Sequence, residues 1–252
     1  MRAITDSATM LRRQLRHMMR HPSLILTFAG VPVVFLLLFV YVFGGTMGAG
    51  LGGDRTAYAG YLTPGLMVTT IASAAQGTAI AVASDMAEGI IARFKTMAIA
   101  RVSVLTGHVL GAMAQTFVAI AVVTVTALLI GFRPAASALG WLGVAGVLAM
   151  FIFAVTWLSV ALALVSKSVT TASNLPMPLM VLPFLGSGFV PAESMPPGLR
   201  WFAEHQPFTP VIESLRALLA GRPPGTALVE AAAWSAGIAL TGYLWARRLY
   251  NR

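Results

Sequence analysis

Cysteine is absent from the 252-residue chain, so it has no disulfide framework, no thiolate metal site and no cysteine nucleophile. Charge is almost as scarce. Asp, Glu, Lys and Arg make up 10% of the residues against 58% apolar ones, where soluble domains carry about 25% charged residues. That balance argues against a water-soluble fold and for one membrane domain over residues 1–252. At about 20 apolar residues per bilayer crossing, little chain is left for anything else. Acids are the rarest charge, 8 against 17 basic residues, for a formal net charge of +9. Such an excess fits either nucleic-acid binding or the cytoplasmic side of a membrane protein, and the placement of the charges decides between them.

Charged residues divide the chain into long uncharged runs, 22–53, 56–84, 102–132, 134–166, 168–192 and 231–246. These runs predict an all-α polytopic membrane protein with six transmembrane helices, near 22–43, 61–83, 105–131, 138–165, 170–189 and 226–246. With the N-terminus inside, 12 basic residues face the cytoplasm: Arg2, Arg12, Arg13, Arg16, Arg20, Arg93, Lys95, Arg101, Lys167, Arg247, Arg248 and Arg252. The outer side keeps 5: Arg55, Arg133, Arg200, Arg216 and Arg222. Acids do not offset this, since Asp54, Glu193, Glu204, Glu213 and Glu230 are outer and only Asp6, Asp85 and Glu88 inner. The positive-inside rule thus accounts for the basic excess without nucleic acid. It predicts a multi-pass protein of the plasma (inner) membrane with both termini cytoplasmic.

Residues 3–21 precede the first span. On a helical wheel Ile4, Ala8, Leu11, Leu15, Met18 and Met19 share one face, and Arg12, Arg13, Arg16 and Arg20 the adjoining one. This is the pattern of an interfacial amphipathic helix lying on membrane lipid, ended by Pro22. A charge cluster that only sets topology is the alternative.

No G-x-x-x-x-G-K-[ST] phosphate loop is present. Lys95-Thr96 follows Phe94 and Lys167-Ser168 follows Ser166, without the glycines whose amides cradle phosphate. A pump built on this chain therefore binds no cofactor directly and keeps its ATP and Mg on a separate ATPase subunit. The spans are also nearly free of mid-membrane ionisable groups of the kind an ion-coupled carrier protonates; His108 and Glu230 read as interfacial. Ser187, in Gly186-Ser187-Gly188, has the look of a hydrolase nucleophile, but only His205 shares its outer region. A flexible helix end explains the triplet more simply. No catalytic or metal-binding residue is assigned. An ion-coupled secondary carrier and a membrane enzyme stand as the alternatives to a pump.

Two regions carry more information. Residues 84–101 place Ile90, Ile91, Phe94 and Met97 among Glu88, Arg93, Lys95 and Arg101 between two apolar runs. Apolar anchors flanked by charges suit a helix docking in a groove of a partner, with an ordinary loop as the alternative. Residues 186–221 are too long for a turn and are punctuated by Pro191, Pro196, Pro197, Pro207 and Pro210. They predict short helices dipping into the outer leaflet, with Trp201 and Phe202 at the interface. Such a hairpin, over 188–221, either closes the outer end of a substrate path or only covers it. Its candidate gate residues are Phe189, Pro191, Trp201, Phe202, Pro207, Glu213 and Arg216. Within the spans, Gln76 and Asn174 are candidate polar positions along the path, or interhelical glue.

The inner stretch reads Glu88-Gly89, Arg93-Phe94, Arg101, Leu105-Thr106-Gly107 and Gly111. The outer stretch reads Asn174-Leu175-Pro176, then Leu182-Pro183-Phe184-Leu185-Gly186-Ser187-Gly188-Phe189-Val190-Pro191, Met195-Pro196, Leu199-Arg200-Trp201-Phe202, Gln206-Pro207-Phe208-Thr209-Pro210 and Glu213-Ser214-Leu215-Arg216. This ordered series resembles the ABC-2 type permease family, most closely its daunorubicin-resistance-type permease subunits. The resemblance implies an ABC exporter in which two permease chains, alike or different, sit on two ATPase subunits. The segment around Glu88, Gly89, Arg93, Phe94, Lys95 and Arg101 would then be the coupling helix. Many relatives carry more charge there than Asp85 to Lys95 do, which leaves the choice of partner open. The weakly charged spans favour a hydrophobic or amphipathic cargo, such as a drug, a lipid or a polyketide-like product.

Overall fold

The computed structural model describes residues 22–50, 54–89 and 101–250. The interfacial helix expected over 3–21, with Arg12, Arg13, Arg16 and Arg20, lies outside the described residues, as do Arg93, Phe94 and Lys95 of the coupling segment.

All regular elements among the described residues are helical. In order they are α1 (Pro22–Leu38), a π-helical turn (Phe39–Phe43) and α2 (Gly44–Gly50), running on without a break, then α3 (Arg55–Ala87), α4 (Arg101–Ile130), α5 (Ala138–Val165), α6 (Val169–Asn174), α7 (Met177–Val181), a 3-10 turn (Ala192–Ser194), α8 (Pro197–His205), α9 (Phe208–Leu219) and α10 (Thr226–Tyr250). Local chemistry sets the boundaries. Asp54 caps α3 by accepting from the Thr56 and Ala57 amides at 2.9 and 3.1 Å, and the Thr56 hydroxyl and Ala57 amide hold its carboxyl below the usual carboxylate range. Ser137 and Ser168 cap α5 and α6 in the same way. At the other end of α3, Gly89 adopts φ +70°, the left-handed conformation that stops a helix and that glycine takes without strain.

A bilayer core offers no water, so a spanning helix satisfies its own polar groups. The hydroxyls of Thr63, Thr69, Thr70, Ser73 and Thr78 on α3, and of Thr156 and Ser159 on α5, each donate to the carbonyl four residues earlier. Polar residues are thereby carried into apolar helices at little cost.

Five stretches are long and apolar enough to cross a membrane: Ala29–Gly50, Arg55–Ala87, Leu105–Ile130, Ala138–Val165 and Thr226–Tyr250. They correspond to the expected first, second, third, fourth and sixth spans. The expected fifth, a single helix over 170–189, is corrected. That stretch is α6, α7 and a run of turns through residue 189, because Pro176, Pro178 and Pro183 remove three amide donors from one apolar run. The broken stretch still follows α3 in the opposite direction. The Gln76 side-chain amide donates to the Ser173 carbonyl at 2.9 Å, and fifteen or so residues on, the Tyr61 hydroxyl donates to the Ser187 carbonyl at 3.0 Å.

α3 forms the centre of the bundle, with Leu62, Leu66, Met67, Val68 and Ile71 buried on several of its faces. α5 and α10 lie side by side and run parallel. Near their starts the Ala135 amide donates to the Leu219 carbonyl at 2.9 Å. Near their ends Trp157 meets Tyr243 edge to face at 5.0 Å, and Gly242 sits against the Leu158 backbone. The bundle therefore has two distinct ends. A loop-rich end collects residues 131–137 and 186–225. A basic end collects the close of α3, the start of α4, residues 166–168, and Arg247 and Arg248.

Candidate functional site

At the loop-rich end the prolines that break the 170–189 stretch also fold residues 182–190 back over α3. Gly65 and Gly188 touch backbone to backbone. A side chain at Gly65 would run into the Gly188 carbonyl, so only glycine permits this approach. On the other flank Gly186 packs against Gln206 and Thr209. Gln206 is buried, and its amide reaches the Leu182 carbonyl at 2.9 Å and the Thr209 hydroxyl at 3.3 Å. The Gly-Ser-Gly triplet, expected to be a flexible helix end, is instead a buried turn clamped from both sides.

Arg216, on α9, closes this clamp. Its guanidinium donates to the Ser187 carbonyl at 2.7 Å and to the Tyr61 carbonyl at 3.3 Å. It also pairs with Glu213 one turn earlier and lies 3.9 Å from the centre of the Tyr61 ring. The side chain is only 14% exposed. A guanidinium suits this position because its planar fork serves two carbonyls and an aromatic face at once. The clasp is incompletely satisfied: Ser187 Oγ, Gln206 Oε1 and Arg216 Nε are buried without a hydrogen-bond partner among the described residues. Each such group costs about 1–3 kcal/mol, a cost set against the charge-assisted bonds of Arg216.

The other predicted positions fall as follows. Phe189 is buried, stacked on Phe184 at 4.3 Å and tilted against Phe39 of the π-helical turn at 5.3 Å. Pro191 accepts from the Ser194 amide and opens the 3-10 turn. Trp201 and Phe202 are exposed on α8, with Trp201 stacked on His205 at 4.8 Å. On the same helix Glu204 pairs with Arg200 at 2.7 Å, and this raises the Arg200 pKa further. Pro207 precedes the first residue of α9. Arg216 thus meets the segment beside Phe189 and Glu213 reaches it only through Arg216, while Trp201 and Phe202 are exposed. Gln76 reaches the Ser173 backbone, one residue before Asn174, which is exposed. At the basic end Glu88 is exposed and ends α3, Gly89 turns the chain away, and Arg101 opens α4. Tyr61 was not singled out in the sequence; an aromatic near the end of an apolar run carries no mark of its cationic partner.

Long apolar helices whose hydroxyls bond within their own helix define a multi-pass helical membrane protein. The chain belongs to the ABC-2 type transporter family, which it matches over residues 6–220. It is 28% identical over 240 residues to the daunorubicin resistance ABC transporter permease protein of Streptomyces coeruleorubidus, covering 94% of this chain and 80% of that one. To a probable doxorubicin resistance ABC transporter permease protein of Mycobacterium tuberculosis it is 23% identical, covering 82% of this chain and 74% of that one.

Proposed function

We propose that the chain is the permease subunit of an ATP-driven exporter that moves a hydrophobic or amphipathic compound, such as a drug, a lipid or a polyketide-like product, out of the cell. The observation that carries this reading is the similarity to drug-resistance permeases along nearly the whole chain. ATP and Mg are held by a separate ATPase subunit, and two permease copies, identical or different, face each other across the path. The whole of residues 1–252 acts as one transmembrane domain.

Six crossings fit the bundle better than five. α5 and α10 run in the same direction, so the chain between them must return from one end to the other, and the broken stretch 169–189 runs that course along α3. With the basic end cytoplasmic, as the positive-inside rule requires, the loop-rich end is external and both termini are inside. α8 and α9 then form the outer hairpin, and the clasp of Arg216, Glu213, Tyr61 and Ser187 is its latch. Unpartnered buried polar groups favour release when water reaches them, and the Arg216 bonds favour closure, as a two-state gate requires. ATP binding would draw two ATPase subunits together, and residues 84–101, with the interfacial helix, would pass that motion to α3 and α4.

Glu88→Ala and Arg93→Ala are the test. Both are expected to insert and assemble normally while ATP hydrolysis no longer drives export in inverted vesicles. Wild-type export with unchanged substrate-stimulated hydrolysis in both would refute the coupling role.

A further inference from the structure

Three contacts between a basic and an acidic side chain occur among the described residues. Two lie within single helices, Arg200 with Glu204 on α8 and Glu213 with Arg216 on α9. The third joins two helices: His108 Nε2 of α4 stands 3.1 Å from Asp85 Oδ2 of α3, with side chains 16% and 27% exposed. The sequence offered His108 only as a solitary interfacial residue. Its surroundings are apolar, since Val82, Leu105 and Val109 are buried in the same cluster and Met86 packs on it.

The location gives the pair its meaning. Asp85 lies in the last turn of α3 and His108 about two turns into α4, so the pair sits where the two helices flank the connecting segment. The pair therefore ties the two roots of the segment assigned above to coupling. The rest of this contact is made by small or aliphatic side chains such as Ala79, Val82 and Val109. Such a surface resists separation but offers little to fix one helix axially against its neighbour, because dispersion contacts are non-directional. An imidazole–carboxylate hydrogen bond is directional and in a weakly solvated site is costly to break.

We infer that Asp85 and His108 are positioning residues for energy coupling: their bond holds α3 and α4 in one register, so that a push on residues 84–101 moves both helices as a unit. This inference rests on the coupling role of that segment. It predicts that loss of the bond leaves ATP hydrolysis running but disconnects it from the loop-rich end.

The natural absence of cysteine makes a cargo-independent readout available. A single Leu199→Cys in the permease, purified with its ATPase, reports the loop-rich end through its rate of modification by an impermeant maleimide. The rate is compared with and without trapping by Mg-ATP and vanadate. Into this background go Asp85→Asn, His108→Gln and the exchanged pair Asp85→His with His108→Asp. The single variants are expected to hydrolyse ATP and to lose the trapping-dependent change in rate by about fivefold or more, the lower end of ordinary coupling between sites. The exchanged pair is expected to regain most of it. A full trapping response in the single variants overturns the inference. So does an exchanged pair that assembles and remains unresponsive, even if the single variants fail to assemble. Arg93→Ala in the same background separates the two ideas. If it responds like wild type, the coupling segment itself is misassigned; if it fails to respond while Asp85→Asn responds normally, only the role of the pair falls.

Discussion

Arg216 joins parts of the chain that lie far apart in sequence: α9, the turn at Ser187 and the first turns of α3 at Tyr61. What it contributes is geometry as much as charge. Lysine would keep the charge and lose the fork, so Arg216→Lys is expected to destabilise the protein by about 1–3 kcal/mol, read as earlier thermal unfolding in detergent. Arg200→Lys, whose partner sits on the same exposed helix face, is expected to leave the unfolding temperature unchanged, since exposed pairs add little. Equal shifts in both variants would count against the clasp. Arg216 and Glu213 were legible in sequence as a motif, but Tyr61 was not. Nothing in an apolar run records which of its aromatic rings will meet a cation more than a hundred residues away. The contact of His108 with Asp85 was equally invisible in sequence, because the two lie on different helices.

Among the elements, five of the six expected spans are continuous helices, and their ends are legible because charge, Asp, Ser and Gly punctuate them. The remaining one fails on backbone chemistry. Hydropathy weighs side chains, and the stretch 170–189 is apolar enough; its defect is the amide hydrogens missing at Pro176, Pro178 and Pro183. Helix contacts depend on equally small features. A Cβ at Gly242 would stand 2.7 Å from the Leu158 amide nitrogen and 2.8 Å from the Trp157 carbonyl carbon, both backbone atoms that cannot rotate aside. Gly242→Ala is therefore expected to push α10 from α5 and cost about 1–3 kcal/mol. Gly237→Ala on the same helix meets no atom within 4 Å and is expected to be neutral or mildly stabilising, as alanine favours helix. Chemical denaturation in mixed micelles distinguishes the two. Similar values for both would mean that α5 and α10 are not closely packed.

For the whole molecule, the proposed topology puts the basic end inside and the loop-rich end outside. Single cysteines are clean probes of this in a chain that has none of its own. One at Arg200 is expected to react with an impermeant thiol reagent in intact cells, and one at Lys95 only after permeabilisation. The reverse pattern would invert the bundle. Equal labelling of positions 167 and 200 would remove the crossing by the broken stretch.

The parallel pairing of α5 and α10 also dictates an order of assembly. During synthesis α5 leaves the ribosome well before α10, yet the face of α5 around Trp157 and Leu158 is shaped for Gly242 and Tyr243. Until α10 arrives, that face is covered by lipid or by the insertion machinery. Closure of the bundle thus waits for α10, and a chain that lacked it would leave that seam of α5 open.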